Sequence, residues 1–493
     1  MDFRKTLALP IVLSAACLVS CSGAPKPPCT SNCGGGTATL SVTMTAAPLT
    51  PPPNTNLLSF IVDVNTVTLT SSSGSTVNIP LNSPAFSVDL IKLQSDSAFL
   101  GTSATVPAGS YASMTVSLSN PVVTFCTQAS GNTGCAAGST ATVSGGAAAP
   151  VVSSAPFPLT LAANQRTGLA INFNLKNALT VNASQVVTAV TLTAANVLAA
   201  NSLPSTSTSL TAGQLDFMED VTGVVTAINA ITQSVTVKTA TRGSLTAVAN
   251  SSTVFSPNCT TFTFSSCVVQ GQVASLDMVL NADGTFALLE YDPLSTTAGD
   301  WIEGIVTATP SSSTQFSLVT NDVVLATSGS VISSSLPGTS VNATLVNPKP
   351  FLVDSKGLTI PANSFSGNTA ATIFLPGQTL SVHVTAFTAA SGSTLATASV
   401  DTVYLRFTRV SGTVAATGTQ ASFTIQNVPP FFGITTQPLV EITIGAPPSI
   451  PGSNFDGVTS ATALSNPQTV SIRALYFGTG TAMPFSAAKV RVP

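Results

Sequence analysis

Apolar and polar residues alternate with a period of two through most of this chain. Met114, Val116 and Leu118 interleave with Thr115, Ser117 and Ser119. Leu169, Ile171, Phe173 and Leu175 interleave with Ala170, Asn172 and Asn174, and Val235 and Val237 flank Thr236 and precede Lys238. Alternation rich in β-branched and aromatic side chains predicts half-buried strands. Clusters of Gly, Pro, Asn and Ser punctuate the runs as turns, as at Asp283-Gly284 between Leu280 and Phe286. Helical periodicity is almost absent. The predicted fold is all-β: an N-terminal β-sandwich followed by three small β-barrel-like repeats.

The start of the chain breaks the pattern. Arg4 and Lys5 precede an apolar run from Leu7 to Val19 that ends in Leu18-Val19-Ser20-Cys21. A charged start, a short apolar middle and a small residue before the cut predict a cleaved signal peptide over residues 1–20, since the run is too short to span a bilayer. The Cys after the small residue makes the segment resemble a bacterial lipobox. That resemblance implies lipid on Cys21 and a membrane held through that anchor as the first partner. Ser22 stands where an inner-membrane retention signal would have Asp, so the expected location is the cell envelope, at the outer membrane, facing either the periplasm or the exterior. Residues 21–37 are rich in Pro and Gly, which keep a chain extended and loose, and predict a flexible tether.

Residues 38–200 form the predicted sandwich. A strand over 61–70 is followed by Val88-Asp89-Leu90 and Leu93, then by Val106-Pro107-Ala108-Gly109-Ser110-Tyr111 leading into the Met114 strand, and later by the Leu169 to Leu175 strand. This order resembles a bacterial lipoprotein family catalogued as domain of unknown function 4382. The resemblance implies location and fold and brings no activity. The chain departs from the family pattern by inserting Cys126 to Cys135 and a Gly/Ala-rich stretch at 145–149.

A Ser/Thr-rich linker is expected over 201–218, and an internal repeat follows it. The opening landmark is Gly223-Val224-Val225-Thr226-Ala227, then Gly304-Ile305-Val306-Thr307-Ala308, then Gly412-Thr413-Val414-Ala415-Ala416. A closing landmark begins at Gln272, Gln378 and Gln468 in turn. Two landmarks in constant order predict three units, 219–300, 301–410 and 411–493. They resemble a second exported family, domain of unknown function 5666, whose units are thought to be small barrels.

Composition sharpens the picture. The 493 residues are 44% hydrophobic but only 7% charged, against a usual charged share of about 25%. With no second long apolar run, the expected surface is hydroxyl-rich rather than ionic. Removing residues 1–20 takes Asp2, Arg4 and Lys5 from 18 acidic and 15 basic side chains, leaving 17 and 13, net −4. No basic patch is large enough for a nucleic acid backbone, so no nucleic acid partner is expected. So few titrating groups predict a shallow dependence of stability on acid pH.

Cys17 leaves with the leader and Cys21 is the lipidation candidate. The remaining cysteines fall into local pairs: Cys29 with Cys33, Cys126 with Cys135, and Cys259 with Cys267. In an exported chain these are disulfide candidates. Their spacing and the lack of a nearby His argue against zinc.

Chemistry is sparse. The single histidine, His383, alternates with apolar residues and is expected on a strand surface. No Gly-x-Ser-x-Gly elbow, phosphate loop or His-rich metal set is present, so no catalytic residue and no cofactor are assigned. Asp216, Glu219 and Asp220 form the one local acidic cluster and are a weak candidate for a hard cation, which needs six or more oxygens. Trp301 is expected in a core or junction. Phe431 and Phe432 are expected in the core, and the Pro-rich 446–451 loop is the other candidate contact. The function expected is a non-enzymatic, lipid-anchored envelope protein that binds, adheres or scaffolds, with an envelope protein or glycan as partner. The alternative is a glycan-binding or glycan-processing surface lipoprotein using paired carboxylates.

Overall fold

In the computed structural model, residues 35–492 are described except 51, 53–54, 128–133, 136–139, 205–206, 208–209, 257–258, 260, 262, 297, 334–335, 446–451 and 479–482. Cys21, Cys29, Cys33 and the 446–451 loop therefore lie outside the described residues. Nearly all of the regular structure in the rest is strand, as the alternation predicts.

The N-terminal unit packs two sheets face to face. In one, Thr37–Ala46 lies between Arg166–Phe173, its parallel neighbour, and Ala98–Pro107, its antiparallel neighbour, and Leu198–Leu203 adds an edge. The other is built on the long antiparallel pair Thr55–Ser71 and Gly109–Thr127. Leu40, Val42 and Met44 point into the core between the sheets with Phe60, Val116 and Phe173. Tyr111, in the turn that opens the Gly109–Thr127 strand, is buried and donates its hydroxyl to the Pro107 carbonyl at 2.7 Å. That bond ties the turn down and explains why a Tyr follows the Pro-Ala-Gly sequence.

Three five-stranded barrels follow, with one strand order. In the first, Gln214–Asn229 pairs with Ser234–Lys238 on one side and Val273–Asn281 on the other. Ser244–Val248 and Phe286–Pro293 meet in parallel and close the ring. The second barrel repeats this with Asp300–Val306, Gln315–Val324, Ser340–Leu345, Thr379–Thr388 and Ala396–Arg406. The third uses Thr408–Ala416, Ser422–Gln426, Leu439–Ile442, Thr469–Tyr476 and Phe485–Arg491. Each has a single helical turn between its third and fourth strands, at Phe264–Cys267, Ala371–Ile373 and Ala461–Ala463. This connectivity is that of the OB-fold barrel. Closure removes the free edges that an open five-stranded sheet would expose.

The boundaries differ from the expected ones by a few residues. The end of the Leu198–Leu203 strand and the start of the Gln214 strand both fall in the expected 201–218 linker, because each pairs with a sheet. Thr408–Ala416 opens the third barrel only one residue after the second ends at Arg406, so repeat three begins at Thr408 rather than 411.

The landmark glycines have a steric cause. A Cβ on Gly223 would sit 2.5 Å from the Lys238 carbonyl oxygen, on Gly304 2.5 Å from that of Val319, and on Gly412 2.8 Å from that of Gln426. The first strand of each barrel presses its backbone against the second there, and only Gly leaves room.

Disulfides join Cys126 to Cys135 and Cys259 to Cys267. The first closes a loop of the sandwich that docks on the later barrels: the Gly134 amide donates to the Phe431 carbonyl at 3.0 Å, and the Cys135 amide to that of Thr307. Closing a loop of this size in the unfolded chain is worth about 3 kcal/mol. A Cys126→Ser, Cys135→Ser chain is expected to lose that amount in urea unfolding, with the other disulfide intact. An unchanged midpoint would show that the bond adds no stability.

Candidate functional site

The first, fourth and fifth strands of each barrel turn one face toward a common junction. Cross-strand pairing places Ser275 opposite Asp292 and Asp277 opposite Glu290 in the first barrel. The second has Ser381 opposite Tyr404 and His383 opposite Thr402, and the third has Ser471 opposite Arg491 and Arg473 opposite Lys489. Equivalent positions thus carry acids in the first barrel, mixed groups in the second and bases in the third. The opening strands follow suit, with Asp220, Trp301 and Arg409 each three residues before the landmark glycine.

These faces meet. Arg473 lies 2.8 Å from Asp220 and 3.4 Å from both Glu219 and Asp277, and Lys489 lies 2.6 Å from Glu219. Asp220 also takes Arg409 at 2.9 Å and Arg406, from the second barrel, at 3.2 Å. Asp220 reaches its partners because it sits on a bulge. Glu219 and Asp220 together oppose Asp277, and Asp220 has a φ of +52°, a conformation Asp tolerates. Its amide donates to Asp277 at 2.8 Å. Burial alone would raise the Asp220 carboxyl, but Arg473, Arg406 and Arg409 hold it well below the usual range.

The second barrel contributes two acids, Glu303 and Asp354, and two bases, Arg406 and Lys356. Glu303 pairs with Arg406 at 3.4 Å and with Lys92 of the sandwich at 2.5 Å. Burial pushes the Glu303 carboxyl up, and Lys92 and Arg406 bring it below normal. Arg406 also pairs with Asp354. Lys356 reaches across to the first barrel, 2.8 Å from Asp292 and 3.5 Å from Asp277. Apolar contacts complete this boundary, where Trp301, Tyr404 and Val324 pack with Val224, Val273 and Leu294.

The sandwich enters the junction through the segment that follows Val88-Asp89-Leu90. Asp89 is buried and accepts from the Phe60 amide at 2.9 Å, the Ile91 amide at 3.0 Å and the Asn321 side chain at 2.6 Å. Gln94 accepts from Ser411 at 2.9 Å, Asp96 pairs with Arg409, and Arg491 donates to the Asp96 carbonyl at 2.7 Å. Leu90 and Leu93 of this segment stay in the sandwich core, while its polar side chains reach the second and third barrels.

The expected cation cluster does not form. Asp216 accepts from Thr43 of the sandwich at 3.0 Å, Glu219 takes Lys489 and Arg473, and Asp220 takes three arginines. Protein cations and a hydroxyl hold the oxygens that a metal would need. Among the described residues no group of three or more His, Cys, Asp or Glu side chains is arranged for a metal. His383 also departs from expectation. It is half-buried, packs 5.4 Å from the Trp301 ring and pairs with Asp401 at 2.7 Å, because its position faces the junction. Trp301, Phe431 and Phe432 are buried as expected.

Sequence reading missed the basic half: Arg406, Arg409, Arg473, Lys489, Arg491 and Lys356. A signal was present, because aligning the repeats through Gln272, Gln378 and Gln468 puts Asp277, His383 and Arg473 in one column. The placement also changes the acid argument. Titrating groups are few, but most are buried together, with Asp220 and Glu303 lowered while burial lifts Glu290 and brings Asp292 to about 6. A shallow acid dependence no longer follows from their scarcity.

Residues 37–188 match the family model described as Domain of unknown function (DUF4382). The matched stretch is less than half of the chain and includes the segment at 88–97. No curated protein and no solved structure matches the chain.

Proposed function

We propose that this chain, whose first 150 or so folded residues match a domain of unknown function, is a non-enzymatic, lipid-anchored scaffold of the bacterial cell envelope. The observation that carries the reading is the junction. Most of the charged side chains are spent on holding four domains in one body, each carboxylate of the Asp216, Glu219 and Asp220 cluster already occupied. A pair of acids working on a sugar bond would need to face a cleft wide enough for the sugar. Much of what is left outside is hydroxyl and amide, with scattered apolar side chains such as Ile231 and Ile444. Thr236 bonds Thr246 at 2.8 Å across the second and third strands of the first barrel, and Ser317 bonds Asn342 at 2.7 Å in the second. Such a surface supports contact with an envelope protein or glycan and offers nothing to a nucleic acid backbone. The barrels are read as members of the family catalogued as domain of unknown function 5666, on their shared landmarks.

Anchoring rests on Cys21 and its leader. Cells expressing the full chain and fed labelled palmitate are expected to label it, and Cys21→Ser to abolish the label and release the protein from membranes. Label that persists in Cys21→Ser would remove the lipoprotein reading. Protease added to intact cells then separates display outside from a periplasmic position.

A further inference from the structure

One part of the junction is out of balance. The outer face of the fourth and fifth strands of the first barrel carries Asp277, Glu290 and Asp292 side by side, since Asp277 pairs with Glu290 and Glu290 and Asp292 are two apart on one strand. Asp354, of the second barrel, adds a fourth carboxylate close enough to act on Glu290 and Asp292. The cations facing them are Lys356, Arg406 on Asp354, and Arg473 on Asp277. Tyr291 and Tyr404 are the other titratable neighbours. Arg406 and Arg473 are shared with Asp220, so the patch holds more negative than positive charge when fully ionised. Glu290 is buried at 6% exposure, and its Oε1 has no hydrogen-bond partner.

We infer that this patch and the arm at 352–358 of the second barrel form a proton-operated joint, closed while Glu290 keeps a proton and loosened when the patch ionises. The arm's polar attachment to the first barrel runs through Lys356, whose ammonium donates to Ser275 at 3.1 Å and pairs with Asp292 and Asp277, while Leu352 packs on the apolar cluster that holds Val224, Val273 and Leu294. On its own barrel the arm makes a short parallel pairing, Leu352 with Tyr404 and Val353 with Leu405. Lys356 has a φ of +50°, so the arm is held in a backbone conformation that L side chains rarely adopt.

The sign follows from burial. Desolvation, then Asp292, lifts the Glu290 carboxyl well above normal, and desolvation outweighs Lys356 to bring Asp292 to about 6. Opening the joint returns these acids to water and their ordinary values, so the open form binds fewer protons. Raising pH therefore favours opening, from the ordinary carboxylate range up to the point where Glu290 ionises in the closed form.

Amide hydrogen exchange on the full chain tests this, between pH 5.5 and 8.5 and corrected for intrinsic rates. Opening of the 352–358 arm is expected to rise by up to tenfold per pH unit, while peptides from the Thr55–Ser71 strand stay flat. Glu290→Gln should flatten the response above about pH 6.5 and keep the arm protected. Lys356→Met should open the arm at pH 7.5 and be restored by acid. A wild-type arm with no pH response overturns the inference, as does a Glu290→Gln chain with the wild-type slope. Should Glu290→Gln fail to fold, Lys356→Met supplies the second test, and an arm that acid does not restore overturns the inference.

Discussion

Asp220→Asn is expected to lower the free energy of unfolding by about 3–5 kcal/mol, the range for removing one partner from a buried ion pair. Three arginines from two barrels converge on this carboxylate. Neutralising it leaves Arg406, Arg409 and Arg473 facing one another out of water. Asn keeps the size of the side chain and tolerates the positive φ, so the loss reports charge rather than backbone strain. The linkage has a definite sign. The folded Asp220 carboxyl lies well below its ordinary 3.8, so its contribution is complete above that value and is lost as pH falls through the folded value. The gap between wild type and Asp220→Asn in urea unfolding should thus be full at pH 6 and shrink below about pH 3.8. Asp63→Asn, which disturbs one exposed bond to Asn120, should stay within about 0.5 kcal/mol. Equal effects at the two sites would remove the junction as the element that holds the domains together.

Gly304→Val should be comparably damaging for a different reason. The new Cβ would lie 2.5 Å from the Val319 carbonyl oxygen and 2.8 Å from Leu318 Cδ1. The leucine can turn aside, but the carbonyl belongs to the neighbouring strand and moves only with it. The first two strands of the second barrel must separate, opening a core that holds Ile302, Val306, Phe316 and Leu318. Overpacking of this kind costs about 3 kcal/mol, and the barrel affected is the one that contributes Arg406 and Lys356 to the junction. Gly146→Val is the matched control, since a Cβ there meets nothing within 4 Å. Thermal unfolding of both variants would decide it. A Gly304→Val chain as stable as Gly146→Val would mean that the landmark glycine has no steric role.

Much of the fold was written locally. Alternation at Met114 to Ser119 and at Leu169 to Leu175 gave strands because a pleated backbone sends successive side chains to opposite faces. The Pro107 to Tyr111 turn and the landmark glycines were equally visible, each answering to a constraint within a few residues or between adjacent strands. Cysteines 126 and 135, and 259 and 267, were paired by proximity alone. The acids at 216, 219 and 220 were also noticed, but their role was not, because their partners lie far along the chain.

That division has one physical cause. Strand, turn and steric constraints act over neighbouring residues, so the sequence by itself determined an all-β chain with a sandwich and three repeats of one pattern. Electrostatic partnership acts through space. Arg406 and Asp220 are 186 positions apart, Lys489 and Glu219 are 270 apart, and Arg491 meets the carbonyl of Asp96 across 395. Only the closure of the barrels, which turns the same face of each repeat inward, decided that an acidic first repeat, a mixed second and a basic third would neutralise one another away from water.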